Sequence, residues 1–478
     1  MNQAQKEHEE SILKQIPLPL SRAERLRQKG ELDEALRVLM PYLNDHFDDV
    51  PSLMLAAHIF LEAERIGLAQ PLLKRAAQLE PNIAVIWNNL GLCYQEGADL
   101  EEGETHFFRA LKLEPKDAVT HLNLGQLYVN LSQPIIALRH LEESIEIDQG
   151  LPEAYYNRAL ANLSLQKWRE GWADYDATLG AGKTRKERIY GMLPRWNGKN
   201  GKTVIAYGEQ GMGDEIAFSS CIPDLVKENK VIIECNPRLQ GLFKRSFGLE
   251  THGTRFNDMV PWLHDQKSGA LRKIDGAVAF GSLPQHYRNE TSEFPGTPYL
   301  VADPERRLQW KALLDALGPK MKVGIAWTGG NKNTGKVRRS VDLDDMLPIL
   351  RQDATFVSLQ YMDSPEIYAL ENSHGIKIHH WKHAVQTEDH DDCAALVAEL
   401  DLVISVQTAV VHLCGALGQK CWAMLPKTPR WFYGITGDSM PWYSSIKLYR
   451  QRHKWVDLLS EVGSDLRKLI QPPIPSKW

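Results

Sequence analysis

The pattern of small, apolar and polar positions repeats every 34 residues through the first third of the chain. Small residues occupy one register at Ala23, Ala57, Gly91, Gly125 and Ala159. A second register lies twelve positions further along in each copy: Ala35, Ala69, Gly103, Ala137 and Gly171. A repeat of this length predicts stacked helical hairpins, in which a small side chain sits where two helices cross closely.

Other positions keep the same period, and they carry a resemblance. They comprise an aromatic register (Phe60, Tyr94, Tyr128), a further small register (Ala76, Ala110) and two prolines that close repeats (Pro81, Pro115). Together these residues resemble the tetratricopeptide consensus over residues 18–180, after a polar tail at 1–17. The resemblance implies an α-solenoid with a concave groove that binds a protein acceptor or partner.

Three asparagines follow the same period two residues before a small position: Asn89, Asn123 and Asn157. This ladder resembles the repeats of O-linked N-acetylglucosamine transferases, in which such amides hold the backbone of an extended acceptor. An amide donates and accepts at once, which suits a peptide unit. The alternative is that asparagine is common at this repeat position and makes only local helix contacts.

A different rhythm begins after Trp172. The Gly-, Lys- and Arg-rich segment 181–200 is predicted to be a linker, and short apolar runs then alternate with helical stretches. The predicted strands are TVIAYG, VIIEC and AVAFG in residues 201–302, and KVGIAWTGG, TFVSLQY, IKIHHW, LVISV and CWAML in residues 303–478. Alternating strands and helices predict two parallel, doubly wound lobes, so the fold class is α followed by α/β. The helix predicted at 455–470 is expected to pack back across the first lobe.

The first of three motifs is YGEQGMGDEIAFSSCIPDL, in which a strand is followed by a glycine turn and a helix. With the two motifs below, it resembles the heptosyltransferase family and its repeat-fused bacterial relatives over residues 201–452. The resemblance implies a GT-B glycosyltransferase of two Rossmann-like lobes. It also implies that Asp214 is the general base, with Gly211, Gly213 and Glu215 on the acceptor side. The alternative is that Asp214 only caps the helix, a role that aspartate fills well.

The second motif is GIAWTGGNKNTGKVRRSVDL, a strand followed by a basic, glycine-rich loop. A leaving nucleoside diphosphate requires positive charge and hydrogen-bond donors, and this loop contains both. The resemblance implies that Thr328, Lys332 and Arg339 face the diphosphate. Gln360, at the end of the next predicted strand, is assigned to the same donor site. Some of the basic side chains could instead be solvated loop residues.

The third motif, DLVISVQTAVVHLCGALG, places a helix N-terminus directly after a strand, which is a favourable arrangement for an anion. Gln407, Thr408 and Ala409 stand where the family usually has Asp-Thr-Gly. His412 shares the face of Thr408 one helical turn later. All four are assigned to the donor site, although a lone helical histidine is more often structural.

No metal or other cofactor is expected; the nucleotide sugar is a substrate. Asp342 and Asp344 precede a helix and are interpreted as caps, and HHWKH lacks the helical spacing of metal ligands. Three aromatic residues of a later segment, Trp431, Trp442 and Tyr443, could border the donor site or belong to the core.

Composition limits the remaining classes. The formal charge of −5 and the pI near 6.4 argue against nucleic acid as a partner. The polar N-terminus and the absence of a long apolar run predict a cytoplasmic protein without a membrane span. Six cysteines form no C-x-x-C pair and are expected to be free, buried thiols.

The sequence therefore predicts an inverting, metal-independent glycosyltransferase that acts on a hydroxyl, such as Ser or Thr of a protein brought by the repeats. Two alternatives remain at this point. One is a transferase acting on a glycan or lipopolysaccharide. The other is an adaptor whose transferase fold has lost activity, for which Gln407 is the main indication.

Overall fold

The computed structural model describes residues 17–471, except for 98, 183–184, 255–257, 265–268, 331–335, 362–363 and 386–387. The chain divides into two compact units, Met1–Arg158 and Ala159–Trp478.

The first unit consists of antiparallel helical hairpins. Its helices are α1 (Leu18–Gln28), α2 (Leu32–Asp45), α3 (Val50–Glu62), α4 (Ile66–Leu79), α5 (Ala84–Glu96), α6 (Leu100–Leu113), α7 (Ala118–Asn130) and α8 (Pro134–Ile147); α9 (Pro152–Ser164) crosses the boundary between the units. The small registers lie where helices touch. A Cβ added to Gly91 would come within 2.6 Å of the Phe107 ring, and one at Gly125 within 2.4 Å of Leu141. The predicted helical solenoid is therefore confirmed.

The last hairpin of the repeat pattern ends in the second unit. Helix α10 (Trp168–Ala177) follows α9, and its tryptophans bond to residues near 290. The Trp168 indole donates to Thr291 Oγ1 at 3.0 Å, and the Trp172 indole donates to the Arg288 carbonyl at 2.7 Å. The final helix of the pattern is thus part of the α/β unit.

Segment 181–200, predicted to be a linker, contributes to the core of the second unit. Arg185 and Tyr190 are buried. The backbone near Arg195 pairs with Ala277, next to a sheet strand. Its described residues therefore extend the first lobe rather than connect two separate bodies.

The first lobe is built on a parallel sheet of four strands in the order β3-β2-β1-β4. Its elements are β1 (Thr203–Tyr207), α11 (Met212–Phe218), α12 (Ile222–Glu228), β2 (Lys230–Cys235), α13 (Gln240–Phe247), β3 (Glu250–Gly253), β4 (Gly276–Ala279) and α14 (Pro284–Tyr287). The sequence predicted β1, β2 and β4 but not β3, which is short and only partly buried.

The second lobe has a parallel sheet of six strands in the order β10-β9-β8-β5-β6-β7. Its elements are α15 (Pro304–Asp315), β5 (Lys322–Ala326), α16 (Lys336–Arg339), α17 (Leu347–Leu350), β6 (Thr355–Ser358), α18 (Glu366–His374), β7 (Ile378–His379), α19 (Lys382–Val385), α20 (Asp391–Ala398), β8 (Leu402–Val406), α21 (Ala409–Leu417), β9 (Cys421–Leu425), β10 (Ile446–Arg450) and α22 (Trp455–Ile470). This order is the doubly wound order of dinucleotide-binding folds, with its switch point between β5 and β8.

Helix α22 forms where it was predicted, but its expected position across the first lobe is wrong. Its apolar face packs on the core of the second lobe through Leu458, Leu459, Val462 and Leu466. A Cβ at Gly463 would lie 2.3 Å from the Pro348 carbonyl oxygen, so the helix sits close against α17. Since α22 follows the edge strand β10 after a short connection, it covers the sheet that it has just left.

None of the helices in the described part of the chain is long and apolar enough to cross a membrane. The six cysteines are free and buried, as predicted.

Candidate functional site

The carboxyl ends of the two sheets carry the three predicted motifs. In each sheet a switch point lies between the first strand and the strand that reverses the order, namely β1 and β4 in one lobe and β5 and β8 in the other. Loops at such points diverge and leave room for a ligand. The glycine turn 208–211 follows β1, and Gln407–Thr408 follows β8. The motifs therefore lie at the positions where doubly wound sheets bind ligands.

Asp214 lies in the first turn of α11, but it is not the N-cap. The N-cap is Gly211, whose backbone N–H interacts with the Asp214 carboxylate. A Cβ at Gly211 would lie 3.1 Å from Asp214 Oδ2, which shows that the carboxylate folds back over the turn. The interpretation of Asp214 as the cap itself is wrong, although it does satisfy an N–H of the first turn.

The environment of Asp214 raises the pKa of its carboxyl group. Burial is the largest cause, and the negative charge of Glu209 adds to it. Two guanidinium groups of the second lobe, Arg430 and Arg339, oppose the increase, as does the Gly211 N–H. A carboxylate whose pKa stays raised in spite of two nearby cations is a better proton acceptor than an exposed one.

Arg339 and Arg430 form the cationic side of this cluster. Arg339, at the end of α16, is buried, and Arg430 is exposed five residues after β9. Burial and the charge of Arg430 lower the pKa of Arg339. Two guanidinium groups that repel each other at a sheet's carboxyl edge are stabilised by an anion.

The sequence identified Arg339 but missed Arg430. A usable signal was present, because a Thr-Pro-Arg-Trp run shortly after a buried strand places an arginine at the sheet edge. The aromatic residues that follow it dominate the pattern of this segment and obscure that signal.

Thr328 and Gln360 are joined by a pair of hydrogen bonds. The side-chain oxygen Oε1 of Gln360 accepts a hydrogen bond from Thr328 N, and its side-chain nitrogen Nε2 donates one to the Thr328 carbonyl oxygen, both at 3.3 Å. Gln360 is 2% exposed. Its amide is therefore occupied by the backbone of the loop, so it positions Thr328 rather than facing a ligand.

Gln407 has a similar positioning role. It is 2% exposed, and its Oε1 accepts a hydrogen bond from Arg430 N at 3.1 Å. It thereby ties the end of β8 to the loop that carries Arg430. Its Nε2 makes no hydrogen bond within the described residues.

Thr408 and Ala409 begin α21. Thr408 is the N-cap, and its Oγ1 accepts from Val410 N at 3.2 Å. A Cβ at Gly329 would lie 3.2 Å from Thr408 Cγ2, which brings the loops after β5 and β8 together. The predicted helix start after β8 thus forms beside the second motif; its phosphate-binding role stays a prediction.

His412 is a buried, neutral side chain. Burial lowers its pKa to about 3, and the charge of Arg430 acts in the same direction. Its Nδ1 lies 3.2 Å from the Tyr443 hydroxyl, and its ring packs against Phe432. His412 therefore supports α21 from within the core and does not supply a positive charge to a phosphate.

Gly213 allows α11 and α21 to approach each other. A Cβ at Gly213 would lie 3.2 Å from Ala409 Cα and 3.5 Å from His412 Cδ2. Glu215, two residues further along, points into the first lobe and accepts a hydrogen bond from Asn236 N at 2.8 Å. Burial raises the pKa of Glu215 to about 8. Of the three residues assigned to the acceptor side, Gly211 is the N-cap of α11, Gly213 sets the spacing of two helices, and Glu215 lies inside the first lobe.

The later aromatic residues belong to a core. Trp431, Trp442 and Tyr443 are each at most 7% exposed, and Trp431 stacks on Phe432 with ring centroids 3.8 Å apart. The ring of Trp172 from α10 meets Trp431 edge-on. Of the two interpretations, the structure favours the core.

Lys332 lies outside the described residues. Within the described part of the chain, no group of three or more His, Cys, Asp or Glu side chains is arranged to hold a metal ion.

The asparagine ladder of the first unit makes three different sets of contacts. Asn123 Nδ2 donates to Asn88 Oδ1 at 2.9 Å, and Asn157 Nδ2 donates to the Glu153 carbonyl at 2.9 Å. Asn89 lines a cavity of about 480 Å³ together with Leu55 and Val85. Of the three, only Asn89 lines this cavity, and the amides of the other two are used inside the unit.

Comparisons with known proteins agree with the helical repeats observed in the first unit. Residues 84–117 match the tetratricopeptide repeat family. Protein FlbA of Caulobacter vibrioides is 29% identical over 465 residues, covering 91% of this chain and 77% of its own length. Human serine/threonine-protein phosphatase 5 is 28% identical over 127 residues, covering 25% of this chain and 24% of its own.

Among solved structures, MamA is 21% identical, covering 33% of this chain and 93% of its own, with a TM-score of 0.30. A tetratricopeptide protein of Thermus thermophilus is 22% identical, covering 34% and 90%, with a TM-score of 0.32. The helical hairpins of the first unit thus include a tetratricopeptide repeat at residues 84–117, and an α/β region with two parallel sheets follows them.

Proposed function

We propose that this protein is an inverting glycosyltransferase of the GT-B type that moves a sugar from a nucleotide-diphosphate sugar to a hydroxyl group. The observation that carries the proposal is the close approach of α11, which bears Asp214, to the start of α21, where a Cβ at Gly213 would lie 3.2 Å from Ala409 Cα. The charges of Arg339 and Arg430 from the second lobe also act on Asp214. The carboxylate, whose pKa is raised, follows the switch-point strand β1, and the two arginines follow β5 and β9 of the second sheet.

The proposed step is a single displacement. The acceptor oxygen attacks the anomeric carbon and forms the new C–O bond, while the bond from that carbon to the diphosphate oxygen breaks. The hydroxyl proton passes to Asp214, and the electron pair of the broken bond leaves with the diphosphate. Arg339, Arg430 and the N-terminus of α21 stabilise the negative charge that develops there. These groups supply the positive charge that a metal ion supplies in other transferases, so the reaction is proposed to be metal-independent.

The proposed acceptor is Ser or Thr of a protein held by the repeats. The groove cavity is lined by apolar side chains, among them Val85 and Val119, which expose 50% and 44% of their surface, and also by Glu114 and Asp117. An extended polypeptide can lay apolar side chains on such a surface while Asn89 bonds its backbone. The proposed location is the cytoplasm, as expected from the sequence.

A second candidate is an adaptor that binds partners without catalysis. It is favoured by Gln407, which stands at a position where the family usually has a carboxylate. Donor turnover by the purified wild-type protein separates the two candidates, since an adaptor leaves the nucleotide sugar intact. Transfer to a purified glycan in place of a protein would identify the remaining alternative, a transferase that acts on a glycan or lipopolysaccharide.

The test of the catalytic assignment is Asp214→Asn. The amide keeps the shape and can still accept from Gly211 N, but it cannot take a proton, so the turnover number should fall by about a hundred- to ten-thousand-fold. Donor binding, measured by calorimetry, should not be weakened, since the change leaves both arginines in place and removes a negative charge that acts on them.

Asp303→Asn is the matched control. Asp303 is the N-cap of α15 and accepts hydrogen bonds from the N–H groups of Glu305 and Arg306. Both substitutions convert a carboxylate at a helix start into an amide. Equal turnover in the two variants, within about threefold of wild type, would mean that Asp214 serves only the helix.

A further inference from the structure

The loop that leads to Asp214 is held from behind by a buried ion pair. Arg185 and Glu209 lie 2.7 Å apart, and their side chains are 0% and 1% exposed. Glu209 is the second residue after β1, five residues before Asp214. Arg185 comes from the segment that the sequence predicted to be a linker.

Helix α10 holds the same loop through Tyr175. The Tyr175 hydroxyl donates to Gln210 Oε1 at 2.8 Å, and Gln210 Nε2 donates to Glu209 Oε1 at 2.9 Å. The Arg185 guanidinium donates to the Tyr175 carbonyl and lies over its ring, 4.2 Å from the centroid. Tyr175, Arg185, Glu209 and Gln210 therefore form one continuous network, called here the loop clamp.

The first lobe leaves space for the loop clamp at Gly281, after β4. A Cβ at Gly281 would lie 2.6 Å from Glu209 Oε1 and 2.9 Å from the Arg185 guanidinium. The Gly281 N–H also points to Glu209 Oε2, at 3.4 Å. The end of β4 therefore fits the clamp only without a side chain.

Stability is a weak explanation for such a pair. Taking two charges out of water costs free energy, and apolar residues of similar volume often serve stability as well. A hydrogen-bonded ion pair instead restricts the backbone that carries it to a single geometry.

We propose that Tyr175 and Arg185 are positioning residues of the transferase, which fix residues 208–211 so that α11 starts in the direction that aims Asp214 at the acceptor hydroxyl. This inference rests on the proposed function. It makes α10, the last helix of the repeat pattern, a structural part of the catalytic site. It also explains why the repeat pattern continues into the α/β unit without a break.

Tyr175→Phe tests the loop clamp in the full chain, because it removes the hydroxyl that bonds to Gln210 and keeps the ring. Misplacing a catalytic group by about 1 Å can cost about a hundredfold in rate. The loop clamp holds residues 208–211 through the Tyr175–Gln210 hydrogen bond and the Arg185–Glu209 ion pair. Losing the first should therefore lower the turnover number by about tenfold, while the Michaelis constant for the donor stays within about twofold of wild type. Amide hydrogen exchange of residues 208–215 should become faster, and that of β5 and β8 should not change.

Tyr190→Phe is the matched control. Tyr190 is buried like Tyr175, lies in the same lobe and donates its hydroxyl to the buried carboxylate of Glu234, which is not part of the loop clamp. It should leave the turnover number and the exchange of residues 208–215 at wild-type values.

Two results would overturn the inference. One is equal turnover in Tyr175→Phe and Tyr190→Phe, and the other is unchanged exchange of residues 208–215 in Tyr175→Phe. If the wild-type protein turns over no donor, the proposed function fails, and the exchange comparison alone then decides whether the clamp fixes the loop.

Discussion

Replacing Glu215 by glutamine should make the protein more stable at neutral pH. Glu215 is 5% exposed, and a Cβ at Gly208 would lie 2.3 Å from its carboxyl carbon, so the group has no access to bulk water. Burial raises its pKa from 4.5 to about 8, and the negative charges of Glu209 and Asp214 contribute. The folded protein thus keeps a proton on Glu215 that the unfolded chain releases.

The sign and size of the effect follow from linkage. Below pH 4.5 the carboxyl group is neutral in both states, and the amide has nearly the same shape, so wild type and variant should be equally stable. Between pH 4.5 and 8 the unfolded wild type is ionised while the folded state is not, so wild-type stability falls by about 1.4 kcal/mol per pH unit relative to the variant. The advantage of Glu215→Gln should reach about 3 kcal/mol at pH 7 and level off at no more than about 5 kcal/mol above pH 8.

Urea unfolding of both proteins from pH 5 to pH 9 measures this difference directly. Asp465→Asn is the control. Burial acts in the opposite direction, but hydrogen bonds from Tyr449, Lys468 and Lys447 lower the pKa of Asp465 to about 2, so this group is ionised in both states throughout that range. The effect of Asp465→Asn on the free energy of unfolding should not vary with pH. A difference between wild type and Glu215→Gln that is also constant from pH 5 to pH 9 would refute the reasoning, because Glu215 would then be ionised in the folded state.

Two further predictions concern the asparagine ladder and His412. Asn123→Ala should destabilise the first unit by about 1 kcal/mol, because Asn88 Oδ1 loses a buried donor. Asn89→Ala should leave urea unfolding unchanged within about 0.5 kcal/mol and raise the Michaelis constant for a protein acceptor; equal unfolding in both variants would refute the distinction. Burial lowers the pKa of His412 to about 3, so below pH 6.5 the unfolded chain takes up a proton on this ring that the folded protein does not. The contribution of the neutral ring to the free energy of unfolding should therefore be present above pH 6.5 and be lost as the pH falls below it. The imidazole resonance that is missing in His412→Gln should not shift between pH 5 and 8, and a titration near 6.5 would show that the ring is exposed to solvent.

The periodic features of the fold were predictable because they depend on local pattern. The 34-residue registers determined the hairpins, and long apolar runs such as LVISV determined the central strands. The edge strands β3 and β10 were missed, since partial burial gives them mixed sequences. The position of α22 was also missed, because an amphipathic helix indicates that it covers an apolar surface but not which one.

The site was predictable to the level of the loop but not of the side chain. The glycine turn before Asp214 and the helix start at Thr408 lie where the motifs placed them. The spacing of residues in a sequence does not determine the direction of a side chain. Gln360 points to the backbone of its own lobe, and Glu215 points into the first lobe. Arg430 was missed because it joins the site only through folding, which brings the end of β9 beside the end of β8.

The charge of the cluster bears on the meaning of Gln407. With Asp214 ionised, the two arginines leave a local charge of about +1 before a diphosphate binds. A carboxylate at position 407, bonded to Arg430 N, would reduce that charge to about zero beside the leaving group. The amide accepts the same N–H bond and adds no negative charge. On this argument glutamine keeps the position of Arg430 and leaves more positive potential for the departing diphosphate, so the substitution is compatible with an active transferase. Gln407→Asp should then weaken diphosphate binding, whereas in an adaptor with no donor site the same change would alter nothing that calorimetry with a nucleoside diphosphate can detect.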